Sequence, residues 1–548
     1  MDARPREGSA LELRLLCNLR AARSGIRPWG GPAGSCERQD PPMPSGQPEF
    51  DLLVIGGGIN GAGIARDAAG RGLKVLMVEQ GDIASATSQW STKLIHGGLR
   101  YLEHYEFRLV AESLSEREVL LKLAPHSIEP LQFVLPHEPH LRPAWMIRAG
   151  LFLYDHIGGR KTLPSSFGVD LDASKWGAGL KEKFRKGFVY SDARVDDARL
   201  VVLNAIAARE LGADVRVRTR FADARRENGL WRATLVDGAG RREDVLARAL
   251  VNAAGPWVKE LLDQISPNSI RADVRHVKGS HIIVPRVHDE PHAYILQNSD
   301  KRIVFIIPFE QSFSLIGTTD VPVVDYETPG ISPDEIDYLC STANAYLARG
   351  IAAADIVWTY SGVRPLYDDG SEDPSAITRD YVLKLDAPDG HAPLLSVFGG
   401  KITTYRKLAE HGLGQLRSFF PQARGDWTDR QPLPGGDLPT GGLAAYERAL
   451  AARYAGLPSN LLAALAHRHG TRTPRILGDA RAPADLGAHF GHTLYAAEID
   501  YLVAQEWAIE VDDVLWRRTK CGLHLRSEER DAVAAYLREL RTRGDGSA

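Results

Sequence analysis

Cysteine is scarce in this chain, with Cys17, Cys36, Cys340 and Cys521 the only four among 548 residues. None form a CxxC pair and no Cys/His group has zinc spacing, which excludes a disulfide framework and a cysteine-built zinc centre. They read as free thiols of a reducing compartment, with no structural metal. Long apolar runs are missing too: none reaches the ~18 residues of a membrane span. Charge of one sign is not in excess, since 67 basic and 70 acidic residues leave a net charge of −3. That balance excludes a protein held on nucleic acid mainly by phosphate contacts. A hydrophobic content of 44% with 25% charged residues is that of a globular enzyme. The length exceeds what one core supports and predicts about two or three domains.

Residues 1–48 lack an uninterrupted apolar stretch and carry Asp2, Glu7, Glu12, Glu37 and Asp40 among their arginines. A secretory signal or transit peptide is therefore a poor reading. The stretch is expected to be a disordered extension, with Met43, just before "PSGQPEFDLLVIGGG", the expected true start.

"FDLLVIGGGINGAGIARDAAGRGLKVLMVEQGD" carries the strongest local signal. An apolar run of strand length leads into Gly56, Gly58 and Gly61, spaced GxGxxG. Gly56 serves the tight turn into a helix. Gly58, lacking Cβ, admits a pyrophosphate to the backbone, and Gly61 lets the helix lie close to the sheet. The helix N-terminus offers free N–H groups to phosphate. A second strand, "KVLMVE", ends at Glu79, placed to accept from adenosine ribose hydroxyls, which argues against NADP. Strand, glycines, helix, strand and acid in that order predict a dinucleotide site.

The next stretch of chain favours FAD over NAD. "DIASATSQWSTKLIHGGLRYLEH" is polar, rich in small residues and lined by serine and threonine, Ser91 and Thr92 included. Such a loop suits a long cofactor that needs contacts along its length. Later pieces have the same character. "DDARLVVLNAIAARELGADVRVRTR" reads as a capped helix and a strand, and "LWRATLVD" with "DVLARALVNAAGPW" reads as a meander ending at Ala253, Ala254 and Gly255. "APLLSVFGGKITTYRKLAEHGL" reads as a buried strand, the pair Gly399 and Gly400, and a helix opened by Lys401.

"IGGGINGAGIARDAAGRG" (55–72) and "GGKITTYRKLA" (399–409) resemble the two signature segments of the FAD-dependent sn-glycerol-3-phosphate dehydrogenases. "KLIHGGLRYLEHYEFRLV", "VKGSHIIVPR", "DKRIVFIIPF", "IGTTDV", "VWTYSGVRPL" and "LWRRTK" resemble the same family, in its aerobic bacterial type. The resemblance runs from about residue 50 to about residue 545. It implies an α/β (α+β) fold of the D-amino-acid-oxidase/glutathione-reductase type. A discontinuous Rossmann-like FAD-binding domain is expected over 49–125, 188–260 and 355–425. An inserted mixed-sheet substrate domain is expected over 126–187 and 261–354, and a helical C-terminal domain over 432–548. Pro432, Pro434, Gly435, Gly436 and Pro439 mark the linker, beyond which the spacing is helical with no clear strand.

The implied reaction is oxidation of sn-glycerol 3-phosphate at C2 to dihydroxyacetone phosphate, with hydride passed to FAD N5 and electrons to ubiquinone or another membrane quinone. His96 is then the expected base, because an imidazole near its ordinary pKa of ~6.5 accepts a proton at neutral pH. Gly97 and Gly98 are expected to leave room for flavin and substrate. Arg100, Arg364 and Arg379 are the phosphate candidates, since a guanidinium matches phosphate geometry and keeps its charge. Tyr101 is expected beside the substrate. Lys401, with Gly399, Gly400 and Thr403, is expected at the flavin N1/C2 edge and beside the substrate. Lys278 is expected near N5 or the substrate. "RPAWMIRAGLFLYDHIGG" (142–159) has the make-up of an interfacial helix, and the family's quinone implies peripheral attachment to lipid at the cytoplasmic face of the cell membrane. A homodimer is expected. Rival readings are a glycerol-3-phosphate oxidase using O₂, an amine or amino-acid oxidase, and a non-catalytic FAD-binding interaction module.

Overall fold

The computed structural model describes residues 48–138, 142–159, 162–267, 272–298, 300, 302–368 and 380–545. The expected N-terminal extension, the expected start at Met43 and the phosphate candidate Arg379 lie outside them.

Two sheets organise the chain. The first has eight strands. Phe50–Ile55 lies at its centre, parallel to Arg242–Asn252 on one side and to Val75–Val78 on the other. Leu394–Phe398 and Asp214–Arg216 continue the parallel array outward. Strands of this kind are buried on both faces and read as continuous apolar runs, as "LLV" within Phe50–Ile55 does. The outer strand Leu230–Val236 alternates buried and half-buried positions, the period-two pattern of a sheet with one wet face. The helices Ile59–Gly70, Asp197–Glu210 and Tyr405–Gln415 pack on this sheet in one apolar cluster. Asp196 caps the second of them by accepting the Arg199 N–H at 3.1 Å.

The second sheet has ten strands, with Asp273–Pro285 paired along eleven residues with Trp358–Asp368. Helix Pro333–Tyr346 covers one face, opened by a reciprocal Ser332/Glu335 capping box. The helices Phe107–Leu123 and Ala144–Ile157 cover the other. Its strands Leu94–Ile95 and Trp358–Asp368, and all but the first two residues of Lys186–Val195, come from stretches expected, on sequence, in the cofactor domain. The run carrying His96 therefore leaves the glycine loop and immediately joins the second sheet.

Beyond residue 440 the chain is mainly helical, with its own apolar cluster. It is not free of strands: His489–Gly491 pairs with Leu494–Tyr495 across a turn held by positive φ at Gly491 and His492. So short a hairpin leaves no run long enough to read. Among the described residues no helix is long and apolar enough to cross a membrane.

Candidate functional site

The glycine loop is tight enough to explain its composition. Gly56 has φ of +111°, and a Cβ there would sit 2.5 Å from the Ala253 carbonyl oxygen. A Cβ on Gly61 would collide with the Gly56 carbonyl, so helix Ile59–Gly70 can start here only on glycine. Its first turn holds no acidic residue, leaving the positive end of the helix dipole open to an anion. Glu79 ties the loop down: one carboxylate oxygen accepts the Gly57 N–H at 2.7 Å and the other the Gly81 N–H at 2.7 Å. Burial raises its pKa, against the pull of those two N–H groups.

These residues open onto a cavity of about 740 Å³, a volume typical of ligand sites. Gly56, Gly58, Glu79, Ala254 and Gly255 line it, whereas Gly61, Gly399, Gly400, Lys401 and Thr403 do not. The serine/threonine loop contributes Ser85, Thr87 and Ser88 rather than Ser91 and Thr92. Ser88 Oγ accepts the Ile59 N–H at 3.0 Å. Ser91 instead donates its hydroxyl to Asp197 at 2.7 Å, and Thr92 meets the His281 ring at 3.1 Å, so both are spent on the fold. Thr219, Trp257 and Tyr326 also line the cavity, and nothing in their local sequence announces it. A glycine floor, an uncompensated helix N-terminus and a carboxylate at the end of the second strand fit the phosphates and ribose of a dinucleotide.

A second cluster forms where the two sheets meet. Asn60, in the first turn of the glycine-loop helix, donates its side-chain amide to the Gly399 carbonyl at 3.1 Å. Gly399 and Gly400 have φ of +69° and +97°. Lys401 does not open a helix; it begins a turn, and the helix starts at Tyr405. The β-branched Ile402, Thr403 and Thr404 between them are weak helix formers. The Lys401 ammonium lies 3.9 Å from the centroid of the Tyr101 ring. Thr403 Oγ1 accepts the His96 backbone N–H at 3.3 Å. Burial lowers the His96 pKa, the Asp192 carboxylate raises it and the Lys401 cation lowers it further; the net shift is downward. That direction favours the neutral ring, which keeps a lone pair. Arg100 is half-buried on the next turn, Leu99–His104.

Gly97 and Gly98 have a different reason from the one expected. A Cβ on Gly97 would meet Leu114 at 2.5 Å and the Tyr154 hydroxyl at 2.7 Å, and one on Gly98 would enter the Tyr101 ring. Gly97 is glycine because the run is pressed onto its covering helices, and Gly98 because its φ is +76° and the Tyr101 ring folds back against it. Tyr154 donates to Asp192, 2.8 Å away, and accepts the Gly97 N–H at 2.9 Å. Arg117, fully buried, holds Asp192 at 2.7 Å.

Lys278 and Arg364 sit on adjacent strands, and each meets a carboxylate. Lys278 lies 2.8 Å from Glu335 and donates to the Gly330 carbonyl at 2.7 Å, an arrangement that holds the capped helix on the sheet. It does not line the cofactor cavity. Arg364 donates to Asp320 at 2.6 Å and is one-third exposed. It follows Val363, a cavity residue whose carbonyl accepts the Thr87 hydroxyl at 2.6 Å.

The family model described as FAD dependent oxidoreductase matches residues 51–406. The chain belongs to that family. Its cofactor is FAD. A second model, the C-terminal domain of alpha-glycerophosphate oxidase, matches residues 427–543. A glycerol-3-phosphate dehydrogenase of Pseudomonas aeruginosa is 55% identical over 89% of this chain and 95% of its own. The aerobic glycerol-3-phosphate dehydrogenase of Escherichia coli is 53% identical over 89% and 97%. A D-erythritol 1-phosphate dehydrogenase of Brucella abortus is 51% identical over 89% and 97%. The FAD complex of glycerol-3-phosphate dehydrogenase from Bacillus halodurans superposes with a TM-score of 0.67 at 26% identity, covering 90% of this chain and 94% of that one.

Proposed function

We propose that this flavoprotein oxidises sn-glycerol 3-phosphate at C2 to dihydroxyacetone phosphate and delivers the electrons to a membrane quinone. The observation that carries the chemistry is the His96 backbone held by Thr403 in the turn after Gly399 and Gly400, with the Lys401 ammonium over the Tyr101 ring in the same cluster. Bound FAD supplies the two-electron acceptor for the C2 hydride. Within that site His96 takes the C2 hydroxyl proton, and the Lys401 cation favours negative charge at its side of the pocket. Arg364, held by Asp320, and Arg100 are the cations offered to the phosphate.

The Brucella relative supports a second substrate, D-erythritol 1-phosphate, which carries the same phosphomonoester on a longer polyol. Anaerobic mixing with each phosphate, and with glycerol, reads flavin bleaching directly. Fast bleaching with sn-glycerol 3-phosphate at the higher kcat/KM supports the proposal. Preference for the erythritol ester replaces the substrate, and no bleaching by either rejects the reading. Adding a ubiquinone analogue, or O₂ alone, then decides the acceptor.

Membrane attachment is part of the same proposal. Trp145 is 70% exposed and Phe152 59% exposed on helix Ala144–Ile157, and Tyr105 is 80% exposed nearby. Arg142 reaches Glu103 at 3.6 Å, joining that helix to the turn before Tyr105. An aromatic patch flanked by Arg142 and Arg148 has the chemistry of a lipid interface.

A further inference from the structure

We propose that the segment Asp513–Arg518 of the C-terminal region is a positioning clamp for the FAD-binding loops, so that cofactor retention depends on residues outside the cavity. The segment is a single π-helical turn, a rare conformation that gathers at functional places. It brings two consecutive arginines onto one carboxylate. Arg517 Nε donates to Asp82 at 2.6 Å, and Arg518 closes a fork on both Asp82 oxygens at 2.8 Å each. Asp82 and Arg518 are fully buried.

Asp82 lies in the bend that follows Glu79. The same segment grips that bend a second time. Asp513 accepts from the Arg218 guanidinium at 2.9 Å, and the Arg218 backbone N–H donates to the Gly81 carbonyl at 2.9 Å. The Gly81 N–H in turn meets Glu79, whose other oxygen holds Gly57 of the glycine loop. Hydrogen bonds thus run unbroken from the C-terminal region to the loop that receives the pyrophosphate. Taking the arginines away strands a buried carboxylate, and the bend must open to hydrate it. Docking of the C-terminal region does not itself require this contact, because Arg472 pairs with Glu210 and Arg209 donates to the Gln505 carbonyl at 2.8 Å elsewhere along it.

The test uses full-length holoenzyme as Asp82→Asn and Arg518→Met, with Arg472→Met as an interface control. The FAD dissociation constant is read from free-flavin fluorescence on dilution, and Tm with and without added FAD. The first two variants should bind FAD about tenfold or more weakly, with a Tm deficit that excess FAD recovers. The control should change affinity by less than about twofold. Wild-type affinity in Asp82→Asn, or equal weakening in the control, overturns the proposal. If Arg518→Met does not fold, the isosteric Asp82→Asn carries the test alone.

Discussion

Gly97 donates its backbone N–H to the Tyr154 hydroxyl across 2.9 Å, so a helix with an apolar outer face holds the chain next to His96 from inside. Tyr154→Phe removes that acceptor and the donor to Asp192 while keeping the ring's packing. The expected cost is about 1–3 kcal/mol of stability, the penalty for a buried unpaired group. Turnover should fall with FAD retained, as urea unfolding and steady-state rates will show. Unchanged turnover would mean that the His96 run needs no support from below.

His96→Ala should keep its flavin and lose about 10²–10⁴ in turnover. The pH profile is the sharper test. His96 titrates below its ordinary value, so the acid limb of kcat/KM should lie below pH ~6.5. Lys401 lowers this pKa, so Lys401→Met should move the limb upward. Asp192 raises it, so Asp192→Asn should move the limb downward. Substrate phosphate titration is common to all three enzymes and cancels in the comparison. Shifts of the same sign in both variants would reject His96 as the titrating base.

The cofactor half was legible because its signals are local. GxGxxG between two apolar runs dictates the turn, and Gly56, Gly58, Glu79, Ala254 and Gly255 all reach the cavity. The serine/threonine loop was legible as a loop, but not in register: Ser85–Ser88 face the cavity while Ser91 turns to Asp197, a partner far along the chain. Lys278 shows the same limit. Its Glu335 partner is a capping-box residue, and nothing near Lys278 in sequence reveals that their elements pack together. The glycine pair at 97–98 does mark a close approach, but the residues it makes room for are Leu114, Tyr154 and Tyr101, two of them on later helices.

Arg364 and Asp320 make a pair, each about one-third exposed, that a phosphate dianion can share. Arg364→Met should raise KM for the phosphorylated substrate by about 10- to 100-fold, the worth of a charge-assisted hydrogen bond, with FAD content unchanged. Gly279 lies against this guanidinium, its Cβ position 2.7 Å from Nη2, so Gly279→Ala should raise KM in the same direction by displacing the arginine. An unaltered KM in Arg364→Met would assign the phosphate to other cations.

The two faces of helix Ala144–Ile157 allow lipid contact to be separated from catalysis. Leu151 and Tyr154 are fully buried, whereas Trp145 and Phe152 touch solvent. Trp145→Ser with Phe152→Ser therefore leaves the core intact. Transfer of two large apolar side chains is worth a few kcal/mol at most, so partition onto anionic vesicles should weaken by about ten- to a hundredfold, measured by flotation. Turnover with a soluble dye as acceptor should stay at the wild-type value, because neither residue touches the site. Turnover with a quinone dissolved in the vesicles should fall in proportion to binding. Undiminished flotation would remove lipid as the occupant of this face, and equal loss with both acceptors would show that the helix acts on the His96 run through Tyr154 rather than by holding the enzyme at its quinone.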